Sequence, residues 1–417
     1  MKVPTEQKAS SLTNRLIFFD NLRGLIIVFV TFFHSSMNYT LLDSFWRKVI
    51  PLDVFLMLIL FFIAGYFALP SLQKKGIKQF LTCKLKRLGL PLIVGILFVL
   101  PILDYLHYRH TVTFSGTPSS GISEYWISCV TKIGEFNMGL LNIHEQFYMP
   151  DQFYQHYLWF LSLLIVFFVV LSGFYFLKKE WVYNPSNTSE HSRVFGKSFQ
   201  KVFFISGLLL SGYYYAIIQF VPSEATFFTM GNIIQLQPAR LGLYFGGFLL
   251  GIFAFTKNWF KNDEAPTTVF KAGSTTIILL VGTILIGKLY FESLIPSSEI
   301  QLSFALMYNF LCLSTLLLLI TTAKKYWNTP SKTHQKLTLN SYNIYLFHYA
   351  PIIIIQLLLS SITTIPAVIK SVIVFSITLI ICFGLSQYIV RPMLRKLKDI
   401  HQNIRTAFVP SKSVTVR

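Results

Sequence analysis

Residues 15–39, RLIFFDNLRGLIIVFVTFFHSSMNY, form the first apolar run of the chain. The run meets the requirement of about 20 mostly apolar residues for a membrane-spanning helix, yet it holds Asp20, Arg23 and His34. Ionisable side chains inside a bilayer are costly and mark a functional site by default. The Arg23 to His34 spacing returns to within about 20° of the same helix face, about 16 Å along the axis. We expect a polar stripe that faces a polar bundle interior or a water-filled cavity, because lipid cannot solvate it.

The composition is that of a membrane protein with many spans. Of the 417 residues, 53% are hydrophobic and only 13% are charged, which excludes a soluble fold. The 36 Lys and Arg residues outnumber the 17 Asp and Glu residues. In this class of protein, basic residues concentrate in cytoplasmic loops, so the excess is no sign of nucleic-acid binding.

Hydropathy predicts an all-α polytopic membrane protein with about ten transmembrane helices. The predicted spans are 16–38, 51–69, 88–106, 157–177, 202–221, 238–256, 271–290, 302–322, 341–360 and 367–390. With the N-terminus in the cytoplasm, 28 of the 36 Lys and Arg residues fall in cytoplasmic segments, 7 fall outside, and Arg23 lies deep in a span. This asymmetry predicts that both the N- and the C-terminus are cytoplasmic.

The segments outside the spans are short. We predict a cytoplasmic head at 1–15, an external loop at 107–156, a cytoplasmic loop at 178–201 and a basic cytoplasmic tail at 396–417. The remaining chain, within 16–395, forms one transmembrane domain. The external loop is rich in aromatic and acidic residues, and we expect it to be partly folded over the outer mouth.

The cysteines show no ligand spacing. Cys83, Cys129, Cys312 and Cys382 fall in different loops and helices of the predicted topology. This distribution predicts neither a disulfide framework nor a metal site.

Four segments, in order, resemble those of acyltransferase family 3, the membrane O-acyltransferases of glycans and lipopolysaccharide. They are FFDNLRG at 18–24 followed by His34, HYLWFLSLLIVF at 156–167, QPARLGLYFGGFLLG at 237–251 and LNSYNIYLFHYAPI at 339–352. The third is most similar to the branch that includes glucan succinyltransferase-like proteins. The resemblance covers about residues 15–395.

The resemblance implies a multi-pass enzyme of the bacterial inner membrane. It implies transfer of an acetyl or succinyl group from cytoplasmic acyl-CoA to a hydroxyl of an extracytoplasmic glycan or glycolipid. The partners are then the acyl-CoA donor, a carbohydrate or glycolipid acceptor and the bilayer, with no nucleic acid and no tightly bound cofactor. Acyl-CoA is a co-substrate.

The family's Arg-x10-His motif maps onto Arg23 and His34, which implies a catalytic site. Imidazole suits this role, because its pKa near 6.5 lets it accept a hydroxyl proton and return it to a thiolate. Two alternatives stay open for Arg23: contact with the donor or acyl group, or an ion pair with Asp20 three residues earlier. Asp20 is accordingly either catalytic or only the partner of Arg23.

The family's Arg-x-x-Arg motif falls on Lys84-Leu85-Lys86-Arg87, where Lys84 stands in place of the first arginine. Lysine keeps the charge but lacks the planar fork of arginine. We expect Lys84, Lys86 and Arg87 to hold the CoA phosphates at the inner mouth. The alternative is that the cluster serves only as a topology signal.

Further candidates come from the later segments. Tyr345 and His348 share a face near the predicted cytoplasmic start of the ninth helix. We expect them either to line the CoA side of the cavity or to hold neighbouring helices together by polar contacts. The predicted outer helix ends carry His156, Trp159 and Arg240. We expect these residues either to bind the acceptor or to anchor the helices at the membrane interface.

Two other functions remain open. An intramembrane Asp, Arg and His stripe also suits a proton-coupled transporter or flippase of a polar envelope precursor. A non-catalytic receptor would need none of these side chains for chemistry. The chain shows no P-loop, which argues against an ATP-driven pump.

Overall fold

The computed structural model describes residues 16–39, 50–115, 121–135, 138–141, 155–177, 195–224, 226–230, 234–260, 267–293 and 296–407. The first half contains α1 (Ile17–Ser36), α2 (Leu52–Lys84), α3 (Leu90–Val94), α4 (Leu100–Ser115), α5 (Ile122–Gly134), β1 (Met138–Leu141), α6 (Trp159–Leu177) and α7 (Phe195–Ile218). The second half contains β2 (Phe227–Met230), β3 (Ile234–Leu236), α8 (Pro238–Thr256), α9 (Val269–Glu292), α10 (Ser298–Tyr326), α11 (Lys332–Phe347), α12 (Tyr349–Ser360), α13 (Ala367–Gly384) and α14 (Arg391–Ala407). Short 3-10 or π-helical segments lie at Met37–Tyr39, Leu85–Gly89, Gly95–Val99, His156–Leu158 and Leu385–Val390.

The protein is an all-α polytopic membrane protein. Within the described residues, eight helices are long and apolar enough to cross a membrane, or nine if one bent helix pair counts as a crossing. One of the eight is the continuous run Leu52–His110, which at 59 residues is far longer than one crossing needs. Its backbone breaks at Gly76, where φ is 73° and ψ is 164°. The run, broken at Gly76, is long enough to hold both of the predicted spans 51–69 and 88–106.

The bent pair consists of α11 and α12, which meet at 60° around His348. Pro351 explains the break. It has no N–H to donate to the carbonyl of Phe347, and its ring clashes with that carbonyl in a straight helix. The predicted ninth span, 341–360, thus begins nine residues too late, because the first turns of α11 are polar and hydropathy does not detect them.

The helices α2 and α8 pack with their backbones in close contact. A Cβ atom at Gly65 would lie 2.0 Å from the carbonyl oxygen of Phe248, and one at Gly251 would lie 2.1 Å from that of Phe62. Small residues permit such close approach between membrane helices. This pair forms the centre of the buried core.

A three-stranded antiparallel sheet, in the order β1-β2-β3, joins two loops that are distant in the chain. β1 follows α5 and pairs with β2 in the register Met138 with Met230. The sheet is an addition to the expected all-helical pattern. We call the end of the bundle that carries it the sheet face, and the opposite end, which carries Lys84, Lys86 and Arg87, the basic face.

Candidate active site

Two histidines meet inside the bundle toward the sheet face. His34 lies in the last turn of α1, and His348 lies at the break between α11 and α12. Their ring centroids are 5.2 Å apart, and the ring of Tyr349 lies 6.2 Å from that of His34. The predicted catalytic histidine therefore faces a second histidine from the other end of the chain.

His348 is held by its own helix. Its Nδ1 lies 2.7 Å from the carbonyl oxygen of Tyr345, and the side chain is fully buried. The ring of Tyr157 packs against it with centroids 5.0 Å apart. The hydroxyl of Tyr345 in turn donates to the carbonyl oxygen of Tyr157 at 2.5 Å. These contacts fix the plane of the His348 ring.

A buried polar chain borders the histidine pair. His156 Nε2 lies 2.8 Å from Asp104 Oδ1, and its Nδ1 lies 2.8 Å from the hydroxyl of Tyr349. The Asp104 and His156 side chains are only 9% and 5% exposed. His156 adopts a positive φ of 45°, a sparsely populated conformation that costs of order 1–3 kcal/mol. The backbone is thus strained where it directs this imidazole between α4 and α12.

Asp20 and Arg23 lie toward the other end of α1. Arg23 Nη2 is 3.5 Å from Asp20 Oδ1, so the ion pair that was one of the sequence alternatives is present. Thr338 on α11 donates to the carbonyl oxygen of Asp20 at 2.9 Å. Both side chains are partly exposed, Arg23 at 36% and Asp20 at 20%. Asp20 and Arg23 precede His34 by several turns of α1, and they therefore lie nearer the basic face than His34 does.

The basic cluster Lys84, Lys86 and Arg87 surrounds the junction of α2 with a π-helical segment. Such segments frequently occur at functional sites. Lys86 and Arg87 are exposed, whereas the Lys84 ammonium lies 4.3 Å from the ring centroid of Phe168. The Arg87 guanidinium lies 5.0 Å from the ring of Tyr342 on α11, and the Tyr342 hydroxyl donates to the Arg87 carbonyl oxygen.

The structure does not bring Tyr345 and His348 to this basic cluster. It is Tyr342 that contacts Arg87, while Tyr345 and His348 contact Tyr157 and His34. The reason is the early start of α11 at Lys332, which carries position 348 to the middle of the bundle. The expectation that His348 lies near the cytoplasmic start of its helix is therefore corrected.

A second ion pair lies at the sheet face. Arg240 Nη1 is 2.6 Å from Asp53 Oδ2 and 3.2 Å from Gln237 Oε1. The Arg240 side chain is 11% exposed and that of Asp53 is 32% exposed. Trp159 packs nearby against Tyr244, with ring centroids 5.4 Å apart. Arg240 thus points into the bundle rather than toward headgroups, and Trp159 packs on a helix neighbour.

Sequence reasoning missed several members of these clusters. Asp53 and Asp104 are carboxylates inside apolar spans, so the rule that singled out Asp20 applies to them equally. Tyr342 and Tyr349 lie in the resembling segment 339–352, and that membership is the signal that could have marked them. The cysteines are free thiols, of which Cys83 is exposed and the other three are buried. No group of three His, Cys, Asp or Glu residues within the described ranges is arranged to hold a metal ion.

Fold and site together define a polytopic membrane protein with a histidine pair inside the bundle and a basic cluster at one end. A family model described as an acyltransferase domain, Acyl_transf_3, matches residues 16–387. The chain belongs to this acyltransferase family, which confirms the resemblance seen in its four segments. No curated protein and no solved structure matched the chain.

Proposed function

We propose that this membrane acyltransferase moves an acetyl or succinyl group from cytoplasmic acyl-CoA to a hydroxyl of an extracytoplasmic glycan or glycolipid. One observation carries the proposal: a single helix, α11, touches both the basic cluster and the histidine pair. Tyr342 contacts Arg87, and His348, which follows α11, contacts His34. The bacterial inner membrane, with the basic face toward the cytoplasm, is the setting that this proposal requires.

The donor enters at the basic face. Exposed Lys86 and Arg87 suit the CoA phosphates, which favour charge-assisted hydrogen bonds. Tyr342 and His348 are six residues apart, a total rise of about 9 Å along a helix, and an extended pantetheine arm on the order of 15 to 20 Å long covers that distance. The thioester then arrives beside His34. Arg23, between the two ends, is the group best suited to guide the arm or an acyl carboxylate.

The acceptor enters at the sheet face. Asp53 is the more exposed member of the Asp53–Arg240 pair, and Trp159 lies on the same side of the bundle. Carboxylate, guanidinium and indole groups together suit a sugar, which offers hydroxyls at its rim and an apolar ring face. His156 lies between this region and His34, through Tyr349.

The reaction uses His34 as general base. An acceptor hydroxyl gives its proton to His34 as its oxygen bonds to the acyl carbon. The carbon–sulfur bond then breaks, and the thiolate takes the same proton from His34, leaving free CoA and an ester. No net proton is consumed or released.

The test is thiol release by protein reconstituted in lipid vesicles, with acetyl-CoA or succinyl-CoA as donor and a soluble glucan as acceptor. General base catalysis contributes about 10²- to 10⁴-fold. We therefore expect His34→Gln to lower kcat by at least about 100-fold while donor binding persists. Mass spectrometry of the glucan identifies the acyl group by its mass increment.

His110→Gln is the matched control, because His110 bonds to Ser360 at 2.8 Å outside the histidine pair. It should keep the wild-type rate. A His34→Gln protein that inserts normally and acylates glucan at the wild-type rate overturns the proposal. A wild-type protein that releases no thiol favours the transporter alternative, for which the broken α11–α12 helix pair is the supporting feature.

A further inference from the structure

His348 has a hydrogen-bonding requirement that its surroundings leave unmet. A carbonyl oxygen can only accept, so the 2.7 Å contact with the Tyr345 carbonyl requires a proton on His348 Nδ1. In the neutral imidazole, Nε2 then carries a lone pair and acts as an acceptor. That atom is buried and has no hydrogen-bond partner among the described residues.

A buried acceptor without a donor is destabilising, so a donor that can reach the His348 Nε2 atom stabilises the site. The His34 ring, with its centroid 5.2 Å away, is the neighbouring side chain able to donate an N–H to it. At this separation, a modest rotation of His34 brings two imidazole nitrogens to hydrogen-bond distance. His34 is only partly buried at the helix end, which leaves its ring room to turn.

We propose that His348 is a positioning residue for His34: its Nε2 accepts the N–H of His34 and leaves the other His34 nitrogen unprotonated and facing the acceptor hydroxyl. This inference rests on the proposed function of His34 as general base. The arrangement selects one tautomer of His34. It also stabilises the imidazolium that forms when His34 takes the hydroxyl proton, as an orienting group does in other base-assisted acyl transfers.

The rigid mounting of His348 supports this role. The aromatic rings of Tyr157 and Tyr345 pack against it at centroid distances of 5.0 and 5.8 Å. The helix break at Pro351 directs position 348 inward instead of letting α11 continue straight.

The experiment measures thiol release from the acyl-CoA that the wild type uses, and it determines kcat and the donor KM separately. His348→Ala should lower kcat at least about tenfold, because the base loses the group that orients it, with KM for the donor unchanged. His348→Gln keeps an acceptor oxygen near the Nε2 position. It should recover part of the rate, while His110→Gln keeps the wild-type kcat.

Two results would overturn the inference. One is a His348→Gln protein that inserts normally and recovers none of the rate lost in His348→Ala, and the other is a His348→Ala protein with wild-type kcat. Neither of these removes His34 from its role. Failure of the proposed function itself is seen separately, as full activity in His34→Gln.

Discussion

Lys84 and Arg87 show how two cations a turn apart come to differ in what they can do. The Lys84 ammonium lies over the Phe168 ring at 4.3 Å and near the Phe80 ring at 5.3 Å, an arrangement that satisfies its charge inside the protein. Arg87 lies over Tyr342 with its guanidinium exposed. The lysine in the first motif position thus packs, and the arginine remains open to an anion.

We expect the double variant Lys86→Gln with Arg87→Gln to raise KM for acyl-CoA, because two phosphate partners are lost. The KM of this variant should also depend less on ionic strength than that of the wild type, since salt screens exposed charges. Thiol release at two salt concentrations measures both effects. Arg87→Lys should fall between, because it keeps the charge and loses the fork.

Lys74→Gln with Lys78→Gln is the matched control for this experiment. It removes the same charge from exposed positions earlier in α2, on either side of the break at Gly76. An equal rise of KM in the control would mean that the whole face attracts the donor and that no phosphate site exists at Arg87.

Individual candidate residues could be predicted from the sequence where an ionisable side chain lies within an apolar span. Arg23 and His34 stand out because lipid tolerates neither, and Arg240 and His156 because they belong to the resembling segments. The pairing of His34 with His348, and of His156 with Asp104, joins different helices. Such contacts depend on how spans pack, and hydropathy carries no information about which neighbours meet.

At the scale of elements, the glycines of α2 and α8 set the closest approach in the bundle. Gly251→Ala would place a methyl group 2.1 Å from the Phe62 carbonyl oxygen, and backbone on both sides prevents easy relief. We expect a loss of about 1–3 kcal/mol or more, the usual range for overpacking. Thermal unfolding followed with a thiol-reactive fluorophore measures this, because Cys129, Cys312 and Cys382 are buried in the folded protein.

Gly212→Ala on α7 is the control, since a Cβ there meets no atom within 4 Å. Its unfolding temperature should equal or slightly exceed that of the wild type, because alanine favours helix more than glycine does. Equal unfolding temperatures for Gly251→Ala and the wild type would show that α2 and α8 are not packed backbone to backbone.

Element positions were predictable to the extent that hydropathy reports them. The first predicted span, 16–38, corresponds closely to α1, Ile17–Ser36, with its short 3-10 extension. The second, 51–69, stops at Pro70, but the helix continues to Gly76 and resumes beyond it. Hydropathy detects only apolar stretches, so it does not predict polar helical turns outside the bilayer. The start of α11 was missed for the same reason.

At the scale of the whole molecule, contacts between residues that are distant in sequence lie at one or the other of the two faces. Tyr342 with Arg87, and Thr338 with Asp20, lie toward the basic face. Gln155 bonds to Gln235 of β3 at the sheet face. This sorting agrees with the alternation of the predicted spans, and the charge asymmetry predicts which face is cytoplasmic.

A membrane-impermeant maleimide tests that orientation in intact cells. Native Cys83 is exposed near the basic face, and Gly139 in β1 has open space around its Cα. We expect a Gly139→Cys protein to be labelled from outside at position 139, with Cys83 labelled only after the membrane is permeabilised. Labelling of Cys83 in intact cells would reverse the topology and exclude entry of cytoplasmic acyl-CoA at the basic face.

The three-stranded sheet also constrains the order of assembly. β1 and β2 lie in loops separated by the helices α6 and α7, so the ladder between Met138 and Met230 closes only after both helices have crossed the membrane. Pairing between such distant segments is slow, because the entropy cost of closing the loop comes before the strand contacts form. A chain with α6 and α7 inserted incorrectly would leave the two strands on opposite sides of the bilayer. The small sheet is thus a late step in biogenesis, one that only a correctly threaded chain completes.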